Sequence, residues 1–215
     1  MAIPKHLRPR KEPQQERSRA LVDAVLEATA RILVDRGFEA MTLQDVGELA
    51  GVSPGSLYQY FPHRESLVTA LLVRQSEREA AFLAEHLASV APTSVEAVIE
   101  AGIRGVLAFR GQDPALQQAL LDVLPNVDSH ALLEALRERG REVAQQLRAI
   151  LALVYSPASD GPSLDELVFI VGNATHSLTH EGLIVRPASF DETRLGTEIT
   201  RLVLGYVHAC RGLGK

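Results

Sequence analysis

Apolar residues recur along this chain at intervals of three and four, the spacing that lines one face of an α-helix. Leu21, Val25, Ala28 and Ile32 fall four, three and four apart and predict an amphipathic helix over 17–36, capped by Gly37. Leu43, Val46, Leu49 and Ala50 form a second, short stripe, and Leu57 with Phe61 a third. Leu67, Leu71, Leu72, Phe82, Leu83 and Leu87 predict one long helix over 64–90. Pro92, Thr93 and Ser94 open another, which carries Val95, Val98, Ile99, Ile103, Val106 and Leu107 and breaks at 111–114. A short helix over 116–124 stops at Pro125, and Asp128 with Ser129 caps a longer one reaching Tyr155. Residues 156–162 are rich in serine, proline and glycine and read as a loop. Two final helices follow, over 163–183 and 191–210. No alternation of strand type appears, so the expected fold is all-α.

The stretch 42–64, TLQDVGELAGVSPGSLYQYFPHR, organises the rest. Thr42 caps the first of its two helices, with Asp45 three residues on as the acidic half of a capping box. Gly51 stands where the chain must turn. Ser53 caps the second helix, and Pro54 follows at the first helical position, where its missing N–H costs nothing. Leu57 and Phe61 face inward, which leaves Ser56, Tyr58, Gln59 and Tyr60 pointing largely outward. Two helices joined by a glycine-containing turn match the helix-turn-helix, whose second helix enters a DNA major groove. Serine and glutamine suit base edges, and tyrosine hydroxyls and Arg64 suit phosphates. Gly55 leaves a bare patch near the start of the second helix. A buried helical hairpin is the plainer alternative, but it would not gather two tyrosines and a glutamine on its outer side.

At these residues the sequence resembles the TetR family of transcriptional regulators. The likeness rests on Gly37-Phe38, Thr42, Ala50-Gly51-Val52-Ser53, Gly55, Leu57-Tyr58-Gln59-Tyr60-Phe61 and Arg64, and covers about residues 19–79. It implies a reading domain over 19–79 with the helix-turn-helix at 42–61, after a basic arm over 1–18. A helical domain over 80–215 would then bind an effector and dimerise. Thr42, Ser53, Tyr58, Tyr60 and Arg64 would lie on phosphates, and Gln44, Pro54, Gly55, Ser56 and Gln59 near bases. The implied function is a homodimeric repressor released from double-stranded operator DNA by a small molecule.

Charge modifies this picture. The net charge of −5 argues against DNA binding, but its distribution answers part of that. Residues 1–19 hold six basic side chains against two acidic, whereas 20–64 hold three against six. Positive charge thus sits beside the reading helices, as a modest electrostatic footprint. Residues 1–15, with Pro4, Pro9 and Pro13, read as a flexible arm. No run of 18 apolar residues suggests a membrane span, and no hydrophobic run follows the basic N-terminus. Cys210 is the one cysteine, too few for an internal disulfide or a zinc site. A cytoplasmic protein without cofactor or metal is expected.

In the C-terminal half, Leu167, Val171, Ala174 and Leu178 form one stripe and Leu195, Ile199, Leu202 and Tyr206 another. Each chain would offer this pair to a twofold mate as a four-helix bundle; internal packing is the alternative. A palindromic site needs a dimer, because half-sites lie roughly 34 Å apart or a multiple of it. Arg104, Phe109, Arg110, Tyr155, Phe169, Asn173 and His176 mix polar and aromatic character over the middle helices, as a binding pocket requires. His176 and His180 stand four apart, but the adjoining Ser177 and Glu181 do not give the zincin order. Gly51-Val52-Ser53-Pro54-Gly55 fits G-x-S-x-G, which would make Ser53 a hydrolase nucleophile; that motif needs a preceding strand, and the pattern here is helical. An interaction module without nucleic acid is the third reading.

Overall fold

The computed structural model describes residues 16–89, 91–124, 127, 129–157, 161–185 and 191–212. Among them every regular element is α-helical. In chain order these are α1 Glu16–Arg36, α2 Leu43–Ala50, α3 Pro54–Tyr60, α4 Arg64–Ala88, α5 Val95–Arg110, α6 Pro114–Val123, α7 Ser129–Leu151, α8 Leu164–Val185 and α9 Glu192–Gly212. The all-helical expectation holds. The first fifteen residues of the expected basic arm, Pro125 and residues 158–160 lie outside the described residues.

The helices gather into two units. The first takes Met1–Glu77 together with Asp113–Glu138, and the second Arg78–Gln112 with Arg139–Lys215. In this division α6 and the first part of α7 group with the first unit, apart from the rest of residues 80–215. Leu116, Leu120 and Val123 of α6, with Val127 and Leu132, are buried in one core with Val25, Leu33, Val46, Leu57, Phe61, Leu67 and Leu71. Each such aliphatic side chain withdrawn from water contributes about 1.5–3 kcal/mol. The apolar stripe of α6 thus belongs with the reading helices.

The core of the second unit joins Val95, Val98, Ile99 and Ile103 of α5 to Leu167 and Val171 of α8 and Leu195, Ile199, Val203 and Val207 of α9. This corrects the expected dimer stripe. Leu167, Val171, Leu195 and Ile199 are buried within a single chain, and Ala174, Leu178 and Tyr206 pack against them. Their i, i+4 spacing turns them toward α5, because a helix offers one face to its own core before any partner arrives. Only Leu202 of that set stands out from it, 60% exposed. Among the described side chains of α8, the large apolar ones left outside are Phe169, 65% exposed, and Ile170.

Candidate nucleic-acid interface

Both short helices of the candidate reader are fixed at their ends by their own neighbours. The Thr42 hydroxyl oxygen accepts from the Asp45 N–H at 3.1 Å, and the hydroxyl donates to the Asp45 carboxylate. Arg36 lies 3.5 Å from the same carboxylate. That hydroxyl above all, and Arg36 beside it, hold the Asp45 pKa below the ordinary carboxylate value. At the other end of α2, Gly51 adopts φ +66°, left-handed backbone that costs an L-residue about 1–2 kcal/mol. Its N–H donates to the Glu48 carbonyl at 3.2 Å, and the Val52 N–H to Gly47 at 2.9 Å, which satisfies the last carbonyls of the helix.

The turn then delivers α3. The Ser53 hydroxyl oxygen accepts from the Ser56 N–H at 3.3 Å, and Pro54 occupies the first turn. Gly47 is buried where α2 meets α3. A Cβ there would stand 3.2 Å from the Val52 carbonyl oxygen and 3.3 Å from a Leu57 methyl. Glycine at this position therefore sets how closely the two helices approach. The sequence reading missed it, although a glycine inside a helical stripe is the signal that marks such a contact.

Leu57 and Phe61 are buried, as expected, and anchor α3. Gln44, Ser53, Pro54, Gly55 and Gln59 are exposed, Tyr58 is 50% exposed, and Ser56 is half-buried. No atom approaches the Gly55 Cβ position within 4 Å. Tyr60 does not join this outer set. It is 5% exposed and belongs to the core, because it lies three residues beyond Leu57 and shares its inward face. Arg64 is committed elsewhere too. Its guanidinium stacks 4.3 Å over Phe38, donates to the Phe38 and Glu39 carbonyls at 3.2 and 3.1 Å, and pairs with Glu39 at 3.2 Å. It braces the corner between α1 and α2. Gln44 donates to Glu48 at 2.9 Å across one turn of α2.

The hydrolase geometry is absent among the described residues. A helix and not a strand precedes Ser53, and its hydroxyl donates to Ser56 Oγ at 3.0 Å. Ser53 is a helix cap.

The structure divides the expected effector residues. Arg104 is exposed and pairs with Glu100 at 3.4 Å along α5. The Tyr155 hydroxyl donates to the Pro162 carbonyl between α7 and α8. Asn173 donates to the Phe169 carbonyl at 2.7 Å, and both side chains are exposed on α8. Phe109 and Arg110 are buried at the end of α5, and His176, whose side chain is exposed on α8, lies within electrostatic reach of Arg110. Burial among surrounding atoms, then the nearby Arg110 charge, hold the His176 pKa below its ordinary 6.5. Glu79, Phe82 and His86 of α4 complete that cluster and were missed, although their i, i+3, i+7 spacing places them on one helix face. The His180 side chain lies outside the described residues. No group of three metal-ligating side chains occurs among the described residues, and none of their helices is long and apolar enough to cross a membrane.

Comparison with known proteins points one way. Residues 25–71 match the family described as bacterial regulatory proteins, tetR family, and residues 94–206 match the family described as tetracyclin repressor-like, C-terminal domain. The HTH-type transcriptional regulator AlkX of Mycobacterium tuberculosis is 28% identical over 145 residues, 67% of this chain and 66% of its own length. The HTH-type transcriptional repressor KstR of Mycolicibacterium smegmatis is 37% identical over 67 residues, 31% of each chain. The chain thus spans just under two thirds of the first relative and about a third of the second. The fatty acid degradation regulator FadR from Bacillus halodurans superposes with a TM-score of 0.66 at 14% identity, over 90% of this chain and 97% of that one. A TetR family regulator, PfmR from Thermus thermophilus, superposes with a TM-score of 0.58 at 17% identity, over 84% and 97%. At such identities these two structures share the fold.

Proposed function

This chain belongs to the TetR family of bacterial transcriptional regulators, and from that premise we propose that it is a homodimeric repressor released from its operator by a small molecule. The observation that carries the reading is the outer face of α3. Pro54, Gly55, Tyr58 and Gln59 are exposed together on a helix whose other side is locked into a core. Gln44, Pro54, Gly55, Ser56 and Gln59 then lie near base edges, and Thr42, Ser53 and Tyr58 on phosphates. Tyr60 acts as an anchor and Arg64 as a brace. The relative named as a repressor supports the sign of regulation.

Two copies meet, in this reading, through the outer faces of α8 and α9, with Phe169, Ile170 and Leu202 replacing the buried stripe. The effector is received in the second unit. It selects the conformation whose two reading heads are wrongly spaced for DNA, and by linkage DNA opposes the effector to the same extent.

The test is a selection from random duplexes, followed by affinity measurement on the recovered site. The wild-type chain is expected to recover a palindrome. Gln59→Ala is expected to lose preference at one base pair in each half, about 1–3 kcal/mol if the contact is bidentate. Recovery of no duplex sequence would reject the reading. Phe169→Asp is expected to yield monomers in sedimentation and to abolish tight palindrome binding.

A further inference from the structure

The second unit buries charge where a helical core does not call for it. Arg110, the last residue of α5, is 7% exposed. Its Nε lies 3.5 Å from the Glu79 carboxylate of α4, close enough for an ion pair. Yet that Nε makes no hydrogen bond among the described residues. His86 repeats the pattern two turns along the same face of α4: its Nε2 is buried and has no hydrogen-bond partner among the described residues. Its ring stacks on Phe82 with centroids 6.1 Å apart and planes 9° from parallel. Phe82 in turn meets Phe109 at 5.7 Å. Gly105 of α5 faces the same point, since a Cβ there would stand 2.9 Å from Leu83 and 3.0 Å from His86. From α8, His176 comes within electrostatic reach of Arg110 and Glu79.

Buried polar groups in folded proteins find a partner, and an exception is accounted for by strain, a functional role or a bound water, ion or ligand. Arg110 Nε can only donate, and His86 Nε2 donates in one tautomer. The missing partner is therefore an acceptor oxygen. A guanidinium is the side chain best shaped for a carboxylate. Glu79 already offsets part of its charge, which suits a monoanion and leaves a dianion such as phosphate under-compensated. Phe82, Leu83 and Phe109 beside the two donors supply an apolar wall.

We propose that the α4–α5–α8 cluster is the head-group site for a small hydrophobic monocarboxylate, whose oxygens are received by Arg110 and His86. This rests on the effector reading above and names the chemical class of that effector. The body of the molecule lies along the aromatic wall, and the carboxylate competes with Glu79 for Arg110.

The test uses the full chain and calorimetric titration with 4-phenylbutyrate and decanoate, each beside the primary alcohol of the same skeleton. At least one acid is expected to bind roughly tenfold or more tightly than its alcohol. Arg110→Met is expected to abolish that discrimination. His86→Phe keeps the stacked ring, removes the nitrogens, and is expected to weaken acid binding by about threefold or more. Should Arg110→Met fail to fold by circular dichroism, His86→Phe decides the matter alone. Acids that bind no better than their alcohols overturn the proposal, as does discrimination that survives in every folded variant. A mobility shift on the selected duplex, with and without acid, keeps the two readings apart. DNA binding without acid discrimination overturns the carboxylate site only. Acid discrimination with undisturbed DNA binding upholds the site and removes effector release.

Discussion

The helix-turn-helix and the polar cluster of the second unit satisfy their polar groups in opposite ways. In α2 and α3, the capping contacts lie three residues apart: Thr42 with Asp45, Gly51 with Glu48, Ser53 with Ser56. The polar cluster of the second unit is drawn from three helices far apart in sequence, and two of its buried nitrogens lack a hydrogen bond among the described residues. Contacts between near neighbours fix the geometry of α2 and α3 at small entropic cost, because little chain must be closed to make them. On the reading proposed above, the incompletely satisfied set leaves an arriving group something to add.

Experiments can break that contrast, and the greatest effect should fall on the reader. Leu57→Ala empties a fully buried position behind α3 and is expected to cost about 2–5 kcal/mol in denaturant unfolding. DNA affinity should fall with it. A loss near zero would mean that α3 is held by something other than its core face. Next comes Gly51→Ala, which forces an L-residue into φ +66°. It is expected to cost about 1–2 kcal/mol, and an unchanged unfolding midpoint would show that the turn relaxes. Thr42→Ala removes the cap of α2, for about 1 kcal/mol.

Thr42→Ala also sharpens a pH argument. The folded pKa of Asp45 lies below its ordinary 3.8, so its contribution is present above that value and is lost as pH falls through the folded one. Melting temperatures of wild type and variant should therefore converge as pH falls from about 5 to about 2. The smallest effect belongs to the other unit. His176 is held below 6.5 by burial and by Arg110, against Glu79. Folding then favours its neutral form, so stability falls as pH drops below 6.5. His176→Gln, which cannot charge, is expected to flatten that decline in thermal melts from about pH 8 to 5. Parallel declines would place the titrating group elsewhere.

The same contrast explains what was legible in the sequence. Caps, turn and anchors of the reader follow from residues within four positions of each other, and Thr42, Gly51, Ser53, Leu57 and Phe61 were readable in place. Tyr60 was misread as outward although its distance from Leu57 carried the answer. In a seven-residue helix only two or three residues define the face, and a tyrosine suits either side. Stripes on α8 and α9 were visible, but a stripe does not say what it packs against. Leu167 and Ile199 would look the same facing α5 or facing a second chain. Phe169 and Ile170 on α8 and Leu202 on α9, apolar yet outside the core, stand on the outer face. The α4–α5–α8 cluster was half visible, through Arg110 and His176, since nothing in a sequence says which distant helices will meet.

The membership of α6 in the reading core has a practical consequence for anyone building hybrid regulators. A graft that transplants residues 16–77 onto a foreign sensor would arrive without Leu116, Leu120 and Val123, which complete its own interior. The chain enters and leaves that interior twice, so the exchangeable cassette is discontinuous and must carry 113–138 with it. Chimeras cut at a single crossover near residue 79 are expected to melt early, and those spliced at both junctions to keep their grip on DNA.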